Sequence, residues 1–198
     1  MLTTRPYPAQ RTILQAGLYF TLLFFSSLAI AASSYSAQFR LNLTPGAKTA
    51  QGEIVIKPGS GYVRTMKLSL PKPRYSGVSA DGSLTPIAGE KDRMLWTLPS
   101  TGGRLRYTVQ IENRRSNGAY DALSNKSWAI FRADKVFPKA ALKAKGSAVS
   151  ELIVTAPKSW HINTGYERIK EGEQRFKIVE AGRKYAAPAG WMIAGQIR

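Results

Sequence analysis

From Tyr35 to Leu43 the chain alternates without a break. Tyr35, Ala37, Phe39, Leu41 and Leu43 point one way, and Ser36, Gln38, Arg40 and Asn42 the other. A period of two suits a strand with one face in a core and the other in water, and no helix. Leu105, Tyr107, Val109 and Ile111 repeat the pattern against Arg104, Arg106, Thr108, Gln110 and Glu112. Shorter segments, Glu53–Lys57, Val63–Leu70, Met94–Leu98, Trp128–Arg132, Val149–Thr155 and Arg175–Val179, are bounded by breakers such as Thr44-Pro45-Gly46 and Thr101-Gly102-Gly103. Short strands at this spacing predict a mainly β chain, an antiparallel β-sandwich. One short helix is expected near 138–145, where Pro138 would open it and Gly146 close it. The polar stretch from Asn113 to Ser127 reads as one long loop, in which Gly118-Ala119-Tyr120-Asp121 is the part able to pack down.

The 198 residues include no cysteine, which excludes a disulfide scaffold and a cysteine-built zinc site. Lys and Arg number 29 against 12 Asp and Glu, for a formal charge of +17, yet 43% of residues are hydrophobic. That share is too high for a disordered polybasic tail, and it suffices for one sizeable core.

Arg5 and Arg11 are the only charges before Arg40, and the uncharged stretch from Thr12 to Phe39 has its apolar heart from Ile13 to Ile30. Positive, then apolar, then small is the pattern of an N-terminal signal helix, with Ala29 and Ala31 as the small residues a signal peptidase accepts. The expected layout is a signal peptide over 1–31 and a single β-sandwich domain over 32–198. The rival reading is an uncleaved anchor in the inner membrane, residues 12–32, because about 20 apolar residues span a bilayer. In both readings the rest is exported, periplasmic or secreted.

Few residues suggest chemistry. A zincin needs two histidines one helical turn apart, and the single histidine, His161, follows Pro157 at a strand end. No serine sits in a Gly-x-Ser-x-Gly elbow. Ser69-Leu70-Pro71-Lys72 matches Ser-x-x-Lys only in letters, since Pro71 interrupts the helix that motif requires. Glu167, Glu171 and Glu173 share their segment with Arg168, Lys170 and Arg175 and read as a solvated turn. No phosphate loop is present, so no catalytic, cofactor-binding or metal-ligating residue is nominated. The basic residues Arg104, Arg106, Arg114, Arg115, Lys139 and Lys143 are the candidates for contact with an anionic envelope ligand such as lipopolysaccharide. Export argues against nucleic acid.

Phrases in the second half form a recognisable set. Leu98-Pro99 with Gly102 to Tyr107, Gly118-Ala119-Tyr120-Asp121-Ala122, Trp128 to Asp134 and Pro188 to Gly195 resemble the N-terminal β-domain of bacterial glycyl-aminopeptidase-type metallopeptidases. Those are zinc-dependent gluzincins in which such a domain precedes a thermolysin-like catalytic domain, often with a PDZ domain after it. The family's His-Glu-x-x-His and downstream glutamate would lie beyond Arg198, so the resemblance carries no catalytic residue to any position here. It implies an exported, non-catalytic β-domain that supports or binds a partner, either a peptidase catalytic domain or another envelope protein. Two alternatives stay open: one part of a truncated or split metallopeptidase active only with a separate zinc domain, and a basic envelope module that binds a polyanion.

Gly190, Trp191, Met192 and Gly195 form the candidate docking edge. An apolar terminal strand would seek cover, and an unpaired one would accept a partner strand. The competing reading has Trp191 closing the sandwich core, the commoner fate of an aromatic residue.

Overall fold

Tyr35, Ala37, Phe39 and Leu41 are all buried, and the residues between them are not, in the first strand of a computed structural model that describes residues 32–114, 116–180 and 183–196. That strand is β1 (Ser34–Asn42), followed by β2 (Thr49–Lys57), β3 (Tyr62–Ser69), β4 (Tyr75–Ala80), β5 (Ser83–Pro86), β6 (Arg93–Thr97) and β7 (Gly103–Gln110). Then come β8 (Asn113–Arg114), β9 (Tyr120–Ser124), β10 (Trp128–Arg132), the single turn of helix α1 (Ala133–Val136) and β11 (Ala140–Lys145). The chain continues through β12 (Ser147–Thr155), β13 (His161–Thr164), β14 (Glu167–Arg168), β15 (Arg175–Ile178) and β16 (Trp191–Gly195). The expected signal helix, with Ala29 and Ala31, lies outside the described residues.

These strands make three sheets. The largest has the order β14-β15-β12-β1-β2-β7-β4, the second β13-β16-β10-β9-β8 and the third β11-β3-β6-β5. Pairing is antiparallel throughout except where β1 runs parallel to β12, Ser34 opposite Ser147 and Asn42 opposite Thr155. Side chains from the inner faces of all three sheets meet in one core. Phe39 sits edge-on to Phe137 at 5.4 Å and to Tyr185 at 5.5 Å, and Tyr75 edge-on to Tyr107 at 5.5 Å, the arrangement ring quadrupoles favour. The Trp96 indole is buried, and its Nε1–H donates to the Asp81 carbonyl at 2.8 Å.

The short helix is not where the punctuation around Pro138 and Gly146 predicts it. It occupies Ala133–Val136, and 140–145 is strand β11. Ala140, Leu142 and Ala144 turn inward while Ala141, Lys143 and Lys145 turn out, and the strand pairs with β3 from Ala140 opposite Leu68 to Lys145 opposite Tyr62. Burial of that alternating face outweighs the helix preference of alanine, leucine and lysine. Gly146 turns the chain with φ +85°, and a Cβ there would stand 2.2 Å from the Ser33 carbonyl oxygen. The stretch from Asn113 to Ser127 is likewise not all loop: β8 and β9 lie within it, and Asp121 and Ala122 are buried.

Candidate docking face

In β16 the alternation runs through apolar residues only. Met192 and Ala194 are buried, so Trp191 and Ile193 emerge on the other side of the sheet, away from the core. The neighbouring strand β10 does the same, with Ala129 and Phe131 inside and Trp128, Ile130 and Arg132 outside. Register brings these residues together: Trp128 opposes Gly195, Ile130 opposes Ile193, and Arg132 opposes Trp191. Leu123 of β9 continues the row beside Ile130. Tyr120 meets Trp191 edge-on at 6.1 Å, and the Arg132 guanidinium lies 6.0 Å from the Trp191 ring. Trp191 is 47% exposed, Tyr120 42% and Trp128 36%. The outward side of the five-stranded sheet is therefore an aromatic face that includes Arg132, which Asp134 holds at 3.0 Å.

The four residues nominated at this terminus divide by role. Trp191 does not close the core. Met192 does, fully buried behind it. Gly195 is a clearance position, since a Cβ there would come within 2.6 Å of the Trp128 Cβ. Gly190 makes the turn into β16 with φ +82°. The last strand is not open to strand addition, because β16 pairs with β10 on one side and β13 on the other. What it offers is a face rather than an edge.

The basic nominees are spread over three sheets. Arg104 and Arg106 stand on β7, on the solvent side of the seven-stranded sheet, where Glu53 of β2 gathers them with Arg40 of β1. Glu53 lies 3.2 Å from Arg40, 3.2 Å from Arg106 and 4.0 Å from Arg104, and Asp81 takes Arg106 at 3.5 Å. Most of that positive charge is answered within the fold. Arg114 belongs to β8, Arg115 lies outside the described residues, and Lys143 stands on β11 with Lys139 just ahead of it.

Two features carry no local sequence signal. Arg74 and Asp121 form an ion pair at 2.7 Å with only 12% and 8% of their side chains exposed. Beside them is a cleft of about 360 Å³ between the end of β3, the start of β4, β9 and α1. Among the described residues no three of His, Cys, Asp and Glu gather as a metal site would require.

No protein-family model and no curated protein matches the sequence. Solved structures do. The chain aligns with an aminopeptidase N family protein of Idiomarina loihiensis at a TM-score of 0.59 and 13% identity, over 80% of this chain and 29% of that one. Legionella pneumophila aminopeptidase A in complex with aspartic acid matches at a TM-score of 0.40 and 11% identity, over 84% of this chain and 21% of the other. Yeast LTA4 hydrolase in complex with bestatin matches at 0.44 and 12%, over 83% and 28%. The chain thus spans under a third of each of these three structures. Its fold is that of part of the aminopeptidase N family protein, in line with the resemblance to a peptidase N-terminal β-domain.

Proposed function

We propose that this chain is a non-catalytic β-domain of the cell envelope that docks a zinc-aminopeptidase-type catalytic partner on the outward face of its five-stranded sheet. The observation that carries this reading is the group formed by Trp128, Trp191 and Tyr120, exposed together around Ile130 and Ile193. Tryptophan, tyrosine and arginine are the residues that dominate binding energy at protein interfaces, and aromatic surface left in water is costly. The fold likeness supports the same reading, because the matched aminopeptidase N family protein is more than three times the length this chain covers of it. Export rests on the arginine, apolar and small-residue order of the N-terminus. The polyanion reading gains nothing from Arg104 and Arg106, which already face Glu53 and Asp81.

Site-specific photo-crosslinking in the native cell tests the proposal. A crosslinker at position 128 or 191 is expected to capture one polypeptide that contains a His-Glu-x-x-His segment, and one at position 104 to capture nothing. Capture from position 104 with silence at 128 and 191 would reverse the assignment of the face.

A further inference from the structure

The cleft beside the Arg74–Asp121 pair has walls of unequal charge. Lys72, Lys135 and Lys139 line it together with Arg74, against two carboxylates, Asp121 and Asp134. Both carboxylates are engaged. Asp121 accepts from Arg74 at 2.7 Å and from the Asn113 amide at 3.0 Å, and Asp134 accepts from Arg132 at 3.0 Å. Among the described residues, Lys72, Lys135 and Lys139 form no ion pair. Three lysines line one concavity, and its low-dielectric walls focus the field of such charges. Arg74 is already answered by Asp121, so the surplus charge of the cleft belongs to the three lysines.

We infer that this cleft binds a phosphomonoester group. A carboxylate would answer only one of three charges. A phosphomonoester carries between one and two negative charges at neutral pH and three strong acceptor oxygens, and lysine serves such groups as a point charge. Ser69 and Gln110, which also line the cleft, carry uncharged donors. Pro71 and Pro73 form an apolar rim against which the carbon part of the ligand rests. A volume of about 360 Å³ suits a small phosphorylated molecule or a single lipid headgroup. Lys139, nominated from sequence for anion contact, belongs to this site, and Arg104 and Arg106 on the seven-stranded sheet do not. The site is separate from the aromatic face, so either assignment stands without the other.

Calorimetric titration of the full chain at low ionic strength with glycerol 3-phosphate is the test. Saturable binding at one site is expected, weakening steeply as salt screens the lysines. Lys72→Ala with Lys139→Ala, both at exposed positions, is expected to weaken it by about tenfold or more, and the matching pair of arginine substitutions to retain it. Lys143→Ala with Lys145→Ala, on β11, is expected to leave it unchanged. Dihexanoyl phosphatidic acid used in parallel separates the sources: tighter binding than glycerol 3-phosphate assigns a lipid headgroup, and equal binding a soluble phosphomonoester. Absence of saturable binding, or equal affinity in the Lys72→Ala/Lys139→Ala variant, overturns the proposal.

Discussion

Gly52 shows how one missing side chain sets the packing of a sheet. It faces inward on β2 directly opposite Tyr107 on β7, and a Cβ there would lie 2.3 Å from the Tyr107 ring. The ring is itself fully buried and stacked edge-on against Tyr75, so it has nowhere to retreat. Gly52→Ala is expected to cost about 1–3 kcal/mol through overpacking, measurable as a lowered urea midpoint with unchanged slope. The same tyrosine makes the fold sensitive to alkali. The hydroxyls of Tyr107 and Tyr35 are buried without partners, and burial raises Tyr35 to about 12 and Tyr107 well above its usual value. Both phenols are neutral in the fold and in the unfolded chain below about pH 10, and their contribution is complete there. Above that pH the unfolded chain gives up protons the fold retains, so stability falls as pH climbs from about 10 toward 12. Thermal melts are expected to be level from neutrality to near pH 9.5 and to drop steeply beyond it. Tyr35→Phe with Tyr107→Phe is expected to lessen that drop, the remainder belonging to Tyr75 and Tyr185, which burial also raises.

At the scale of elements, the strands legible in sequence are those with one wet face. β1 and β7 announce themselves because polar residues mark every solvent position. β16 gives no such mark, since Trp191, Met192, Ile193 and Ala194 are all apolar, and residue type alone places the tryptophan in the core. Only the strand's parity, visible once Met192 is buried, turns it outward. β11 fails differently: alanine, leucine and lysine between a proline and a glycine suit a helix locally, and only pairing with β3 decides otherwise. The cleft was beyond sequence reasoning because its walls come from four separate stretches, Ser69 to Tyr75, Gln110 to Asn113, Asp121, and Asp134 to Lys139. β11 also lies at the open edge of its sheet, with Lys143 and Lys145 exposed there. Lysines on an edge discourage pairing with another chain. Lys143→Val with Lys145→Thr is expected to promote concentration-dependent self-association, read as a rising weight-average mass in sedimentation equilibrium.

Across the whole molecule, the sheets are joined by more than apolar contact. Arg74 stands just before β4 of the seven-stranded sheet and reaches Asp121 on β9 of the five-stranded one. Its Nε–H also donates to the Lys135 carbonyl in α1 at 3.0 Å, and the Tyr75 hydroxyl donates to that same carbonyl at 2.9 Å. Asn113 of β8 joins the group through Asp121. One buried ion pair therefore fixes the inner edge of the aromatic face and one wall of the basic cleft against the largest sheet. Removing one partner leaves a buried charge uncompensated, whereas replacing both with apolar residues removes the cost of dehydrating them. Asp121→Ala is accordingly expected to lose about 3–5 kcal/mol in urea unfolding, and Arg74→Met with Asp121→Leu to recover most of it. Tryptophan fluorescence separates stability from placement. Trp128 and Trp191 report on the aromatic face and the buried Trp96 and Trp160 on the core. With Trp96 and Trp160 replaced by Phe in every protein compared, a double variant that regains stability but shifts the emission of the exposed pair identifies the ion pair as what sets the sheet's position. Recovery of both stability and emission would leave that role to the apolar core.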